Sequence, residues 1–235
     1  MSRIIIRNLI LIIELICLSL LLFSCSDDSN LNTESIIIAP SNYPTHTNIN
    51  TTIFWIGELA DSSNAFIAND VSAWDGKWKE HYGGTDDPNN RNGYYPQSFT
   101  PKQNPFYFAL PYNDINTTGI RKQNALSVVY WGSEKTWGQN ESLCKNRWIK
   151  IIKGNLIAYA QWEDVGPFET DDNNYVFGSE LPRNTFNGTG LDVSPAVRDF
   201  LGITGLDKVS WQFVAFVDVP EGPWKNIITS SQIEY

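Results

Sequence analysis

The chain has 235 residues, of which 13% are aromatic and 18% are charged, and its formal net charge at pH 7 is −9. This acidic balance argues against nucleic acid as a partner, because binding to a phosphate backbone needs a basic surface. The aromatic residues include 9 Trp, which supply material for a hydrophobic core and also suit stacking on sugar rings.

The first residues have the pattern of an export signal. Arg3 and Arg7 provide a basic start, an apolar stretch runs from Leu9 to Phe23, and the stretch ends at Ser24-Cys25. A retained membrane-spanning helix is the less favoured alternative, since the stretch is shorter than the ~20 residues of a span and Glu14 interrupts it. The segment resembles the signal of bacterial lipoproteins, in which the cysteine becomes the new N-terminus and carries acyl chains.

The lipoprotein resemblance implies a signal peptide over residues 1–24 and lipidation at Cys25. The segment after this cysteine is rich in Ser, Asp and Asn, so residues 25–48 are predicted to form a flexible tether. We therefore expect one domain over residues 49–235, held in the cell envelope by the lipid anchor and facing the periplasm or the cell surface. Asp27-Asp28 is compatible with a surface-export tag or with a plain solvated linker.

Cysteine and histidine are sparse. If Cys17 leaves with the signal and Cys25 is lipidated, Cys144 has no cysteine partner, and we predict that it is a small buried hydrophobic residue. His46 and His81 are the two histidines, and no His or Cys cluster has the spacing of a metal site. No metal and no other cofactor is predicted.

The predicted elements of the first half begin with a short strand over residues 53–56, ended by Gly57. Residues 60–105 are predicted to form a long loop, in which Trp74 and Trp78 are candidates to line a groove. Phe106–Leu110 is the next predicted strand. Further strands are predicted over residues 127–131, 148–152 and 156–162, with a hairpin turn at 153–155.

The second half ends with a strand, a helix and a strand. A short strand over residues 190–193 precedes Ser194, which is expected to cap a helix with Pro195 in its first turn. The helix is predicted to reach Leu201 and to end at Gly202. Residues 209–214 form the closing predicted strand. Many short strands with one clear helix indicate an all-β barrel or sandwich.

Two motifs in this half stand out as a pair: Trp162-Glu163-Asp164-Val165-Gly166-Pro167-Phe168 and Gly190-Leu191-Asp192-Val193-Ser194-Pro195-Ala196-Val197. In this order they resemble the double-psi β-barrel proteins, which include rare lipoprotein A, expansins, a class of lytic transglycosylases and glycoside hydrolase family 45. The residues that match are Asp164, Gly166, Pro167, Phe168, Asp192, Ser194 and Leu201-Gly202. The resemblance covers roughly residues 159–214.

The resemblance implies a mainly β fold: a six-stranded double-psi barrel with one short helix, long loop insertions and a groove that holds a polysaccharide, such as peptidoglycan or a cellulose-like glycan. Asp164 would be the acid that protonates the glycosidic oxygen, and Asp192 its partner. The apolar neighbours Trp162, Pro167 and Phe168 are suited to raising the pKa of Asp164. The expected substrate-binding aromatic residues are Trp55, Trp162, Phe168, Trp74 and Trp78.

The sequence departs from these families in two places. Val165 stands where the rare lipoprotein A motif has Arg. Ile56 stands where family 45 has its second carboxylate, for which Glu58 is an imperfect substitute. Three functions therefore stay open: glycan cleavage, expansin-like glycan binding without catalysis, and an envelope scaffold. Asp164 is also compatible with a turn residue that accepts backbone hydrogen bonds, and Asp192 with a role in stabilising the fold.

Overall fold

The computed structural model describes residues 43–62 and 64–233, so the predicted signal peptide, Cys25 and most of the predicted tether lie outside the described residues. Within the described part, six strands close into a barrel in the order β1-β7-β4-β6-β5-β8. Their bounds are β1 His46–Ile53, β4 Tyr107–Leu110, β5 Trp148–Lys153, β6 Leu156–Val165, β7 Thr189–Val193 and β8 Asp207–Val214. Two short strands, β2 (Arg91–Asn92) and β3 (Tyr95–Pro96), pair separately.

The barrel mixes parallel and antiparallel pairing. β1 pairs in parallel with β7, and β4 pairs in parallel with β6, whereas the other neighbouring strands are antiparallel. β5 and β6 form the predicted hairpin, with Gly154 at a φ of 58° in its turn. The predicted fold class, a mainly β barrel of six strands with a short helix and long loops between strands, is confirmed.

The barrel interior is filled by alternate residues of its strands, because successive side chains of a strand point to opposite faces. Trp162 of β6 stacks on Phe108 of β4 with ring centroids 5.9 Å apart. The buried residues of the strands that form this core include Phe108, Leu110, Ile149, Ile151, Trp162, Leu191, Val193, Trp211 and Phe213. Cys144 is also fully buried, as predicted, and burial raises the pKa of its thiol well above the usual range.

The helices of the described residues are short: α1 Trp78–Tyr82, α2 Ala125–Val128, α3 Asn173–Val176 and α4 Pro195–Leu201. The prediction for α4 is confirmed in detail. The Ser194 hydroxyl accepts a hydrogen bond from Val197 N at 3.3 Å, and Gly202 ends the helix in the left-handed conformation at a φ of 63°. Among the described residues, no helix combines the length and the apolar character needed to cross a membrane.

Two predicted strands and one boundary need correction. Residues 127–131 do not form a strand: α2 ends at Val128, and a turn with a hydrogen bond from Gly132 N to Val129 O follows. Too few residues are involved for periodicity to separate strand from helix. The first strand ends at Ile53, so the predicted strand over 53–56 lies almost wholly beyond it.

The boundary that differs is the one between the predicted tether and the barrel domain. β1 begins at His46, before the expected domain start at residue 49. The His46 ring stacks on Trp211 with centroids 4.0 Å apart, and Tyr43 packs edge-on against Trp131 at 5.9 Å. The described end of the predicted tether is therefore part of the domain, because these aromatic contacts hold it against the core.

Candidate functional site

A row of four residues crosses the outer face of the barrel wall. Thr52 of β1 pairs with Asp192 of β7, Asp192 pairs with Ala109 of β4, and Ala109 pairs with Asp164 of β6. The two aspartates singled out in the sequence are thus brought to either side of Ala109. Because the Ala109 side chain is a single methyl group, little side-chain volume separates the two carboxyl groups.

An irregularity in β6 turns Asp164 to this face. The register of β4 with β6 shifts after Phe108, which pairs with Trp162, so that Ala109 pairs with Asp164 and Glu163 is the extra residue. A bulge of this kind re-aims the side chains that follow it. Trp162 accordingly points into the core, whereas Asp164 lines a cleft on the outside together with Ala109 and Asp192.

The cleft has a volume of about 530 Å³, and its carboxyl groups are less exposed than the apolar side chains Phe168 and Phe186 of its lining. Four of the predicted site residues line it: Trp55, Asp164, Phe168 and Asp192. The carboxyl groups among its described lining residues are those of Glu58, Asp164 and Asp192.

The other three predicted substrate-binding residues lie in the interior. Trp74, Trp78 and Trp162 are 0%, 1% and 0% exposed, so their rings are not available for stacking on a sugar in this structure. Trp74 packs edge-on against Trp162, and Trp162 Nε1 donates a hydrogen bond to the Asp164 carbonyl at 2.8 Å. The large aromatic rings were expected along a groove, but the long loop folds inward and buries them, which removes more apolar area from water.

The Asp164 side chain reaches the cleft while remaining 9% exposed. Burial raises the pKa of Asp164 to about 7, and the nearby charges of Asp192 and Glu163 act in the same direction. Opposing this, Ala73 N donates a hydrogen bond to Asp164 Oδ1 at 2.8 Å and stabilises the ionised form. The side chain therefore combines both sequence-based interpretations: it accepts a backbone hydrogen bond and it lines a cleft.

Asp192 is half-buried on the other side of Ala109. Burial raises the pKa of Asp192 to about 6, against the opposing effect of the Thr52 hydroxyl, which donates a hydrogen bond to Asp192 Oδ1. Among the described residues, this carboxyl accepts from one side-chain donor and forms no ion pair. It is thus positioned to influence Asp164 through its charge.

The sequence offered Glu58 as an imperfect substitute for a second carboxylate, and the structure places it in the lining of the cleft. The side chain is 7% exposed, and Asn69 Nδ2 donates a hydrogen bond to Glu58 Oε2 at 2.8 Å. Burial raises the pKa of Glu58 to about 7, and the charge of Asp192 adds to the increase. Two backbone hydrogen bonds close the loop between Glu58 and Asn69. Gly57 N donates to Asn69 O at 2.8 Å, and Asn69 N donates to Glu58 O at 3.0 Å. This long-range pairing has no signature in the local sequence.

The rim of the cleft is apolar and exposed. Phe168 and Phe186 contact each other at a ring-centroid distance of 5.1 Å, and Ile67 and Leu206 are exposed around the same opening. Phe168 has a φ of 58°, a conformation that costs a non-glycine residue energy and is found preferentially at functional sites. The sequence pointed to Phe168, but it did not indicate Ile67, Phe186 or Leu206, which come from loops far apart in the chain.

Among the described residues, no group of three or more His, Cys, Asp or Glu side chains is arranged to hold a metal ion. The three cleft carboxyls are instead held apart by Ala109 and by separate loops. These groups are weak acids, and burial raises the pKa of each of them.

Comparison with models of protein families and with curated proteins finds no match to this chain. No residue role can therefore be transferred from a relative. The resemblance to the double-psi β-barrel proteins remains a prediction from the two motifs.

Proposed function

We propose that the cleft binds a polysaccharide and cleaves its glycosidic bonds with Asp164 as the acid. The observation that carries this proposal is a carboxyl group with a pKa raised to about 7 at the base of an open cleft with an apolar rim. Glycosidic cleavage needs a carboxylic acid that is still protonated near neutral pH, and burial is the usual way to provide one. Exposed Phe168 and Phe186 are suited to packing against the apolar face of a sugar ring.

The simplest reaction uses one carboxyl twice. Asp164 gives its proton to the glycosidic oxygen, the bond from that oxygen to the anomeric carbon breaks, and the leaving sugar departs as an alcohol. The Asp164 carboxylate then takes the proton of a hydroxyl group of the remaining sugar, whose oxygen bonds to the anomeric carbon. An anhydro-sugar forms, no water is consumed, and Asp164 is again protonated. This is the reaction of a lytic transglycosylase, with peptidoglycan as the proposed substrate.

Glu58 supports a second route, because it lines the same cleft as Asp164. In hydrolysis with inversion, a second carboxylate takes a proton from the water that attacks the anomeric carbon. Glu58 has a raised pKa and a firm hydrogen bond from Asn69, which suits a base with a fixed position. The two routes give different products: hydrolysis adds the oxygen of water to the new chain end, whereas the transglycosylase route adds none.

A glycan-binding protein without catalysis is the rival function. The hydrogen bond from Ala73 N to Asp164 Oδ1, at 2.8 Å, favours it, because a backbone donor stabilises the charged form that cannot act as an acid. In that case the cleft holds the glycan and Asp164 organises the loop around residue 73.

The deciding experiment incubates the purified protein with insoluble peptidoglycan in heavy-oxygen water and analyses the soluble products by mass spectrometry. Anhydro-sugar ends without the label support the transglycosylase route, and labelled reducing ends support hydrolysis through Glu58. Sedimentation with the glycan without soluble products supports the binding protein. If the protein neither sediments with the glycan nor releases soluble products, the proposed function is wrong.

We also propose that the protein is exported and anchored in the envelope by acyl chains on Cys25, because a signal-like segment precedes this cysteine. In cells fed labelled palmitate, the protein should carry the label, and Cys25→Ser should abolish it. Cys17→Ser is the matched control, because this cysteine lies inside the predicted signal and its loss should leave labelling intact. Labelling that persists in Cys25→Ser would contradict the anchor.

A further inference from the structure

The bulge in β6 leaves two ways to pair this strand with β4. In the structure Phe108 pairs with Trp162. The next residue of β4, Ala109, pairs with Asp164, so that Glu163 is the extra residue. In a regular ladder the residue opposite Ala109 would be Glu163 instead. Because a shift of one residue turns the side chains that follow to the other face of the strand, the regular register would place Glu163 on the cleft face and turn Asp164 away from it.

The Glu163 carboxyl group would gain contact with solvent by moving to the cleft face. In the structure Glu163 is 2% exposed. Its Oε2 atom accepts a hydrogen bond from Lys145 Nζ at 3.0 Å, whereas Oε1 has no hydrogen-bond partner among residues 43–62 and 64–233. Burying a carboxyl group costs free energy unless a partner compensates for the lost water. Lys145 is therefore the group that holds Glu163 in the interior.

The backbone around Lys145 is fixed to the strand that contains the bulge. Asn146 N donates to Trp162 O at 2.9 Å, and Trp162 N donates to Arg147 O at 2.7 Å. The Lys145 side chain is 1% exposed, and its Nζ also donates to Ser231 Oγ at 3.3 Å. The ammonium group thus lies beside the bulge, in a position that backbone hydrogen bonds determine.

A buried ion pair of this kind contributes little net stability. The cost of removing two charges from water can exceed their attraction, and apolar residues of similar size are often at least as stable in the same place. The pair can instead select one arrangement, since Lys145 stabilises Glu163 in the bulged register, where the two side chains meet. Among the described residues, the other charge that acts on Glu163 is that of Asp75, which raises the pKa of Glu163 and so does not stabilise its carboxylate.

We propose that Lys145 is a positioning residue for Asp164: by pairing with Glu163 it selects the bulged register, and that register places Asp164 in the cleft. The catalytic consequence rests on the proposed function, whereas the placement of the Asp164 side chain does not. Without the ammonium group, Glu163 can move to the cleft face, and Asp164 then loses its hydrogen bond from Ala73 N. Lys145 does not line the cleft itself, so it acts through Glu163 and the backbone.

The test replaces Lys145 by Met, which removes the charge and keeps most of the length of the side chain. One readout is the hydrogen exchange of the Ala73 amide, followed by NMR without any glycan. In Lys145→Met this amide should exchange at least about 10-fold faster relative to the slowest amides of β5 and β8, which report global unfolding. The other readout is peptidoglycan cleavage per folded molecule, which should fall at least about 10-fold, toward the level of Asp164→Asn.

A second substitution should restore both readouts. In the double variant Lys145→Met with Glu163→Met, an apolar side chain at residue 163 is stabilised in the interior, which again favours the bulged register. Exchange at Ala73 and cleavage should return to within about 3-fold of the wild type. Lys135→Met is the matched control and should change neither readout, because it removes the cation of an ion pair with Glu141 at a side chain that is 53% exposed.

Glu163→Gln serves if Lys145→Met does not fold. The amide keeps an acceptor for Lys145 Nζ but replaces a charge-assisted hydrogen bond with a weaker one. Exchange at Ala73, relative to the same reference amides, should then be about 3-fold faster. An unchanged rate in this variant would overturn the inference.

The outcomes distinguish this inference from the proposed function. If exchange at Ala73 is unchanged in Lys145→Met, or if the double variant does not reverse the change, the inference is wrong and the proposed function is unaffected. If the wild-type protein neither binds nor cleaves peptidoglycan, the proposed function is wrong. The exchange of Ala73 then still decides whether Lys145 places the Asp164 side chain.

Discussion

Two sets of wholly or partly buried carboxyl groups in this domain differ in their access to solvent. Asp86, Asp114 and Glu163 lie in the interior, whereas Glu58, Asp164 and Asp192 line the cleft described above. In both sets, burial raises the pKa of the carboxyl group. A raised pKa alone therefore does not identify a functional acid.

The interior set is bonded to cations or to several donors. Asp86 is paired with Arg91 and accepts a hydrogen bond from the Tyr107 hydroxyl at 2.9 Å. Glu163 is paired with Lys145 at 3.0 Å. Asp114 follows the same pattern with neutral donors, accepting from Ser142 Oγ at 2.7 Å and from Leu143 N at 2.6 Å. These groups hold loops to the barrel.

The cleft set is held by neutral donors and has an open side. Asp164 accepts from Ala73 N, Asp192 from the Thr52 hydroxyl and Glu58 from Asn69, and all three border the same cavity. The comparison teaches that access to a cavity, rather than burial, separates the carboxyls proposed to take part in catalysis from those that hold loops to the barrel.

The largest expected effect comes from Asp164→Asn. This substitution should lower the rate of glycan cleavage by roughly 10²–10⁴-fold, the usual contribution of a general acid, and should leave sedimentation with peptidoglycan unchanged. Product release is followed by mass spectrometry. Asp218→Asn, at an exposed aspartate far along the chain, is the matched control and should keep full activity. Undiminished cleavage by Asp164→Asn would remove this residue from the mechanism and blur the distinction between the two sets.

A substitution in the interior set, outside β6, should affect stability rather than activity. Asp86→Asn should lower the free energy of unfolding by about 1–3 kcal/mol, because the buried Arg91 then keeps only Asp199, at 3.6 Å, as a counter-charge. Urea unfolding followed by tryptophan fluorescence measures this loss. At a denaturant concentration where the variant is fully folded, activity per folded molecule should equal that of the wild type. A stability unchanged by Asp86→Asn would contradict the structural role of this set.

The pH dependence tests the protonation states of the cleft set. Cleavage should decline as the pH rises through about 7, because Asp164 then loses the proton that it must donate. The free energy of unfolding should also fall as the pH rises from about 4, the pKa of an unfolded carboxyl, to about 7. In that range the folded state retains protons that the unfolded state has lost.

Unfolding in urea across this range checks the stability profile, and initial rates check the activity profile. Asp164→Asn should flatten part of the decline in stability, whereas Asp218→Asn should leave it unaltered. A rate that increases as the pH passes 7 would show that the ionised carboxylate is the active form, which would fit a base and not an acid.

The smallest expected effect comes from the helix that follows Asp192. Ser194→Ala removes the hydroxyl that accepts from Val197 N at the start of α4 and from Tyr107 N of β4, and should cost about 1–2 kcal/mol of stability. Thermal or urea unfolding detects the change. The pH profile of cleavage should not move, because the substitution alters no charge; a displaced profile would mean that α4 positions Asp192.

The sequence predicted the elements whose signals are local. The hairpin at Gly154 and the Ser194-capped helix follow from turn and capping residues, and the two aspartates were identified from short motifs. Glu58 and its partner Asn69, the rim residues Phe186 and Leu206, and the bulge at Glu163 depend on contacts between distant segments, which no local pattern encodes. The inward burial of Trp74 and Trp78 has the same origin: a tryptophan that packs in a core and one that lines a groove look identical in sequence.

Ala109 shows how durable the arrangement of the two aspartates is. Neighbouring strands lie roughly 4.7–4.9 Å apart, and Asp192 and Asp164 occupy the strands on either side of β4. The interval between their backbones is thus set by peptide groups, which are common to all residue types. Substitutions in the surrounding loops can change which ligand the cleft binds without changing that interval. The domain can therefore acquire new ligands while the backbones of Asp164 and Asp192 keep their spacing.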